Sequence, residues 1–274
     1  MKKAYIAGPL FDDHERKYLE KITKLVESYG FDSFLPHRDA GLVTGEFTRE
    51  KKEKISNYQF YRKKMIFYDC NTAPSPRRVR MFIQEKKINI ETKNVDLRNS
   101  EQMEDWFSKI NPRNTVPVLV SKENNIFYHS LSICVYLEQE FPEINLLGST
   151  NEEKGQIINL INDVESNLFL AIADCLRNTS KAMKNRAITG PKNFEQIPEL
   201  AIRGRERVKS YFEILNQQLS GKSFLCSDRF TAADIWAFVA VDFTRAIKEP
   251  IPDSMTGLRA VSYTHLTLPT SDLV

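Results

Sequence analysis

The chain has 274 residues, enough for roughly two domains of about 150 residues each. Hydrophobic residues make up 41% and charged ones 27%, a composition that supplies real cores and excludes a fibrous or wholly disordered chain. Lys and Arg number 39 against 36 Asp and Glu, and the net charge of +3 is too balanced for a chain built mainly to hold nucleic acid. No apolar run approaches the roughly 18 residues of a membrane helix, and MKKAYIAGPLF meets Asp12 and Asp13 too early for a signal peptide. Cys70, Cys134, Cys175 and Cys226 lie far apart without a C-x-x-C pair. Neither a zinc site, nor any other metal site, nor a disulfide framework is expected, and a reducing, cytoplasmic location is.

Residues 1–40 read as a strand at Lys3–Ala7, a Gly8-Pro9 turn, a helix and a second strand at Phe31–Leu35. Asp12 with Glu15 forms a capping box for the helix. Its apolar face is Tyr18, Leu19, Ile22, Leu25, Val26 and Tyr29, and Gly30 ends it. This βαβ start has too few strands to close a core. Residues 41–64 lose the pattern: TREKKEKISNYQFYRKK alternates charges without an apolar stripe and reads as a solvated linker or short exposed helix, with a nucleic-acid arm as the alternative that Glu46, Glu50 and Glu53 weaken.

A clearer grammar begins at Met65. Met65–Tyr68 is a strand, Thr72–Pro76 a proline-interrupted loop, and Arg77–Lys87 a helix with Val79, Phe82 and Ile83 inward. Ile90–Leu97 is a strand, parallel to the first if the crossover is right-handed. A polar helix near Ser100–Ile110, strands at Thr115–Val120 and Ile126–Tyr128, and a helix at Ser130–Glu140 complete the order βαβ-α-ββα. From Asn151 strands vanish. Ile157, Ile158, Leu160, Ile161, Val164, Leu168 and Ile172 mark one helix, Glu195–Leu219 a second with Gly204 inside it, and Thr231–Phe243 a third that is apolar all round and therefore buried. The switch near residue 148 is a domain boundary. Thr231 and Asp234 make a T-x-x-D capping box for the last of these helices.

APSPRRVR at 73–80, NPRNTVPVL at 111–119, HSLSICVYLE at 129–138 and FTAADIWAF at 230–238, in this order and spacing, resemble the cytosolic glutathione S-transferase family. The resemblance covers residues 65–258. It implies an α/β plus all-α fold: a thioredoxin-like domain over 65–146 and a helical domain over 147–260. It also implies glutathione as co-substrate, an electrophilic small molecule as second substrate, and a homodimer. In such proteins the proline of Val116-Pro117 is cis, so that the preceding backbone pairs with the peptide-like backbone of glutathione. Asn114 and Thr115 belong to the same loop. Ser130 and the first backbone N–H groups of its helix would hold the γ-glutamyl end, although an ordinary N-cap needs the same residue type. The family usually has Glu or Gln before this serine; His129 stands here instead.

The resemblance further implies a hydroxyl or thiol at the start of the first transferase helix, donating to the glutathione sulfur and favouring the thiolate. Aligning the helix places Ala73 at the catalytic position of serine-type members, which is a departure. Ser75, nearest the helix start, is the first candidate and Thr72 the second, with Cys70 expected to be buried. Arg77, Arg78 and Arg80 either add positive potential near the thiolate or form a solvated face, the more common outcome. A non-catalytic binding or regulatory relative is the alternative.

Two further resemblances concern the ends. YIAGPLF with FLPHRD is similar to the start of a nucleoside 2-deoxyribosyltransferase, a glycosyl-transfer chemistry whose carboxylate nucleophile finds no matching segment here. His37 and Asp39 read as a polar loop. AVSYTHLTLPTSDLV after residue 259 lacks a helical stripe and resembles sequencing-adapter read-through. Residues 261–274 are accordingly expected to be a non-native tail, and Met65 a natural start for the transferase.

Overall fold

A computed structural model of the chain describes residues 3–5, 13–34 and 64–260. The chain divides into two units, residues 1–64 and 65–274. In the first, β1 (Lys3–Tyr5) pairs in parallel with β2 (Asp32–Phe34). The helix between them is α1 (Asp13–Ser28). Parallel pairing agrees with the expected βαβ start. The helix face is only partly covered: Leu19 and Thr23 are buried, while Tyr18, Leu25 and Tyr29 are exposed. Among the described residues, two strands of three residues each offer little surface to cover a 16-residue helix. The Asp12–Glu15 box, the 41–64 linker (Lys64 excepted), His37, Asp39 and the 261–274 tail lie outside the described residues.

The second unit opens with β3 (Ile66–Asp69) and α2 (Pro74–Glu85). β4 (Glu91–Asn94), α3 (Asp105–Ile110), β5 (Val118–Val120), β6 (Ile126–Phe127) and α4 (Ser130–Glu140) follow. The sheet order is β4-β3-β5-β6, with β3–β4 parallel and the other pairs antiparallel. This is the βαβ-α-ββα order of a thioredoxin-like domain. One boundary differs from the sequence reading with a consequence for the site: α2 starts at Pro74 and not at Arg77. Prolines are tolerated in a first helical turn because its N–H groups have no intrahelical acceptor. Ser75 therefore sits inside the helix, at its second position.

The helical half consists of α5 (Asn151–Val164), a π-helical turn at Glu165–Phe169, α6 (Leu170–Thr179), α7 (Pro198–Gln218) and α8 (Ala232–Phe243). Ile157, Ile161, Val164, Leu168 and Ile172 are all buried along the α5–α6 line. α8 has every residue from Ala232 to Val241 buried, so it is the central rod of this half. Asp234 starts it by accepting from the Thr231 N–H at 2.9 Å, the Leu225 N–H at 2.8 Å and the Thr231 hydroxyl at 2.9 Å. Gly204 does not interrupt α7; it lets α7 approach α6 closely. One continuous hydrophobic cluster joins Phe67, Val79 and Phe82 of the thioredoxin-like half to Ile161, Trp236 and Phe238 of the helical half.

Candidate functional site

The start of α2 is fixed from both sides. Asp69, buried at the end of β3, accepts from the Cys70 N–H at 2.7 Å and from Arg80 at 2.6 and 2.7 Å. The Cys70–Ala73 turn is closed by an Ala73 N–H···O Cys70 bond of 3.1 Å. Arg77 reaches across to Asp242 at the end of α8 (2.5 Å) and lies over the Phe238 ring. Arg78, with a side chain only 2% exposed, pairs with Glu165 at 2.5 Å. The expected solvated arginine face is therefore incorrect. All three guanidinium groups are mostly buried and each meets a carboxylate supplied by another element, because desolvated charges need partners.

The second loop is built by Asn111, itself buried. Its side-chain amide donates to the Thr115 carbonyl at 2.8 Å, and its Oδ1 accepts from the Arg113 N–H at 3.1 Å. Asn114 takes a left-handed backbone conformation (φ 53°) that asparagine tolerates, and Ser108 donates to its side chain at 3.2 Å. This turn delivers Val116-Pro117 with a cis peptide bond, immediately before β5. The third piece is the start of α4. His129 occupies the cap position without a side-chain cap bond. The Ser130 hydroxyl donates to the Ser75 carbonyl at 2.9 Å, tying α4 to α2. With no side-chain cap, the first-turn N–H groups of α4 remain for a ligand.

These pieces meet in a cavity of about 320 Å³. Ser75, Thr115, Val116, Pro117, His129 and Ser130 line it from the thioredoxin-like half, with Arg78, Tyr128 and Leu131. Ile161, Asn162, Glu165, Thr189 and Trp236 close it from the helical half. Six of the eight residues singled out from the sequence are thus brought together. Thr72 and Asn114 are not in the lining. Thr72 is exposed beside the Cys70 sulfur at 3.6 Å, and Asn114 is buried within its own turn. Cys70 is buried as expected. Among the described residues the Ser75 hydroxyl is bonded to no other group, which leaves it available to a ligand. The sequence reading missed Asn111, Glu165 and Thr189; only the N-P-R-N turn signature pointed toward the first of them.

Electrostatically, burial pulls the Arg78 guanidinium below its ordinary value, and the attraction of Glu165 offsets part of that. The Cys134 thiol of α4 is pushed well above its ordinary value, chiefly by burial. That leaves it protonated and unreactive. Among the described residues no group of His, Cys, Asp and Glu is placed to hold a metal ion, and no helix is long and apolar enough to cross a membrane.

Residues 72–140 match the family model for the glutathione S-transferase N-terminal domain, and residues 191–266 match that for the C-terminal domain. In chain order the two matches take in more than half of the sequence. The chain belongs to the glutathione S-transferase family. Among curated glutathione S-transferases it is 25% identical over 202 residues to glutathione S-transferase 2 of Saccharomyces cerevisiae, covering 73% of this chain and 84% of that one. It is also 25% identical over 185 residues to glutathione S-transferase D6 of Drosophila melanogaster, covering 67% and 79%. A solved glutathione S-transferase domain-containing protein of Marinobacter aquaeolei VT8 superposes with a TM-score of 0.69 at 27% identity, covering 75% of this chain and 99% of that one. The matched regions contain the α2 start, the cis-proline turn and the α4 start.

Proposed function

We propose that the chain binds glutathione along Val116-Pro117 and the start of α4, and joins it through its sulfur to an electrophilic small molecule held against the helical half. The observation that carries this reading is the shared cavity in which Ser75, the cis-proline turn and the first turn of α4 face residues of α5 and α8. The backbone before Pro117 offers an N–H and a C=O to the peptide-like ligand. The γ-glutamyl carboxylate is met by the N-terminal N–H groups of α4, since the Ser130 hydroxyl hydrogen already serves Ser75. Ser75 donates to the glutathione sulfur and, with the positive end of α2, favours the thiolate. The thiol proton is released to solvent, and the thiolate forms the new carbon–sulfur bond at the electrophile as the carbon–halogen bond of an aryl halide breaks and the halide leaves with its electron pair.

Conjugation of a generic aryl halide, measured beside retention on immobilised glutathione, tests the reading. Turnover with retention supports it. Retention without turnover selects the non-catalytic binding protein that Ala73 and His129 favour, and failure of both removes glutathione as ligand.

The protein acts in the cytoplasm, with detoxification of electrophiles as its role, and it pairs as a homodimer. Sedimentation at micromolar concentration checks the pairing. Residues 1–40 are a deoxyribosyltransferase-like fragment without a reaction of its own, supported by the parallel β1–β2 pairing around α1. Sequencing the gene across the codons for Met65 and Leu258 tests whether 1–64 and 261–274 are native.

A further inference from the structure

The wall that the helical half gives the cavity is not the plain apolar surface that a hydrophobic electrophile would call for. Ile161 and Trp236 are almost fully buried and offer little area. The groups left to face a ligand are the exposed Asn162, the carboxylate of Glu165 and Thr189. Asn162 and Glu165 are three residues apart, at the junction of α5 with the π-helical turn, and so share one face.

Glu165 is held in an asymmetric pair. Its Oε2 accepts from Arg78 Nη1 at 2.5 Å. The Arg78 side chain is 2% exposed and that of Glu165 is 34% exposed. The guanidinium is further enclosed by the Phe169 ring at 3.8 Å and the Trp236 ring at 5.4 Å. Its Nε and Nη2 are buried without a hydrogen-bond partner among the described residues. Both partners border the cavity, but the Arg78 side chain has almost no accessible surface, so the Glu165 carboxylate is the exposed end of the pair. Arg78 takes one oxygen of the carboxylate, and the second remains as an acceptor.

We propose that Glu165 is a specificity-determining residue, selecting electrophiles that carry an ammonium or other hydrogen-bond-donating tail and rejecting those with an anionic tail. This deepens the glutathione transferase reading and rests on it. A cationic tail meets a carboxylate acceptor inside a partly desolvated wall, where such a bond is stronger than in water. An anionic tail meets like charge there and loses its own hydration.

The test uses the full chain and three glutathione derivatives that differ only in the tail on sulfur: S-(3-aminopropyl), S-propyl and S-(2-carboxyethyl). Titration calorimetry of each, with glutathione alone as reference, reads the tail preference without requiring turnover. The amino derivative should bind about tenfold or more tightly than the carboxy derivative, the scale of one charge-assisted contact. Glu165→Gln should bring the two within about threefold while glutathione itself is retained. Because Glu165→Gln leaves the buried Arg78 charge unpaired and could cost the fold, Asn162→Lys is measured beside it. This exposed change adds a cation to the same wall and should turn the preference toward the carboxy derivative. If glutathione binds and the unmodified protein holds all three derivatives equally, or prefers the carboxylate, the proposal is overturned and the transferase reading stands. The same holds if a folded Glu165→Gln variant keeps the wild-type preference. If neither glutathione nor any derivative binds, the transferase reading falls and this proposal with it.

Discussion

At the residue scale, turnover is expected to hinge on Ser75. The side chain sits at the second position of α2, half-buried, on the cavity wall, and its hydroxyl is bonded to no other described group. Ser75→Ala should lower kcat/KM by about tenfold or more, which corresponds to about 1.4 kcal/mol of transition-state stabilisation. Retention on immobilised glutathione should change little, because the hydroxyl acts on the sulfur rather than on the peptide backbone of the ligand. Thr72→Ala is the matched control. Thr72 is exposed, outside the lining and beside Cys70, so its loss should leave the rate near that of the unmodified protein. Steady-state kinetics of both variants decide the assignment: a damaging Thr72→Ala with a silent Ser75→Ala would transfer the role to Thr72.

At the scale of single elements, two helices allow direct checks. Gly204 lies where α7 crosses α6, and a Cβ there would fall 2.6 Å from the Ala171 carbonyl oxygen and 2.9 Å from the Cys175 sulfur. Alanine is the better helix former by about 1 kcal/mol, yet a backbone oxygen cannot move aside without separating the helices. Gly204→Ala should therefore destabilise by about 1–3 kcal/mol, read as a lower urea midpoint at unchanged slope. The start of α5 gives a pH test. Glu153 accepts from the Ser149 N–H and hydroxyl, both at 2.8 Å, and pairs with Arg229 at 2.5 Å. Those contacts, the backbone bond first, hold its carboxyl below the ordinary range. A folded-state value below the unfolded one stabilises above the unfolded pKa and fades as pH falls through the folded one. The unmodified protein should accordingly be more stable than Glu153→Gln at neutral pH. The gap in denaturation midpoint should close once the pH is below both values.

These elements also show what was legible beforehand. The order from Met65 to Phe243 followed from apolar periodicity, because each core face is a local pattern: Ile157, Ile161, Val164, Leu168 and Ile172 repeat at helical spacing and are buried. The Thr231–Asp234 cap was legible for the same reason, both partners lying within one turn. Arg77 and Arg78 were not, since Asp242 and Glu165 are 165 and 87 residues away, and a run of arginines reads as exposed until the fold supplies the carboxylates. The α2 start was misplaced because Pro74 and Pro76 look like loop residues, although a first helical turn accepts both. Glu165 was hidden inside an apolar helical stripe, where a carboxylate is ordinarily taken for the solvent side.

At the scale of the whole molecule, the second unit carries what its own core requires. Its two hydrophobic clusters draw on residues from Met65 to Leu258, with Met65 and Leu258 themselves buried. The ion pairs that tie its halves together, Arg77–Asp242 and Arg78–Glu165, lie within it. The cavity lining runs from Ser75 to Trp236. In the first unit, Leu19 is the one buried apolar side chain among residues 17–33, those whose side chains are described, and about 1–2 kcal/mol of backbone entropy per ordered residue opposes folding of a small core. A truncated chain of residues 65–260 should therefore keep the fold, its thermal midpoint within a few degrees, and the glutathione retention of the full chain. Circular dichroism melts and affinity retention, run on both chains at equal concentration, check this. A midpoint lower by about 10 °C or more would amount to a few kcal/mol for a domain of this size. Such a drop, or lost retention, would mean that residues 1–64 or 261–274 are integral to the transferase.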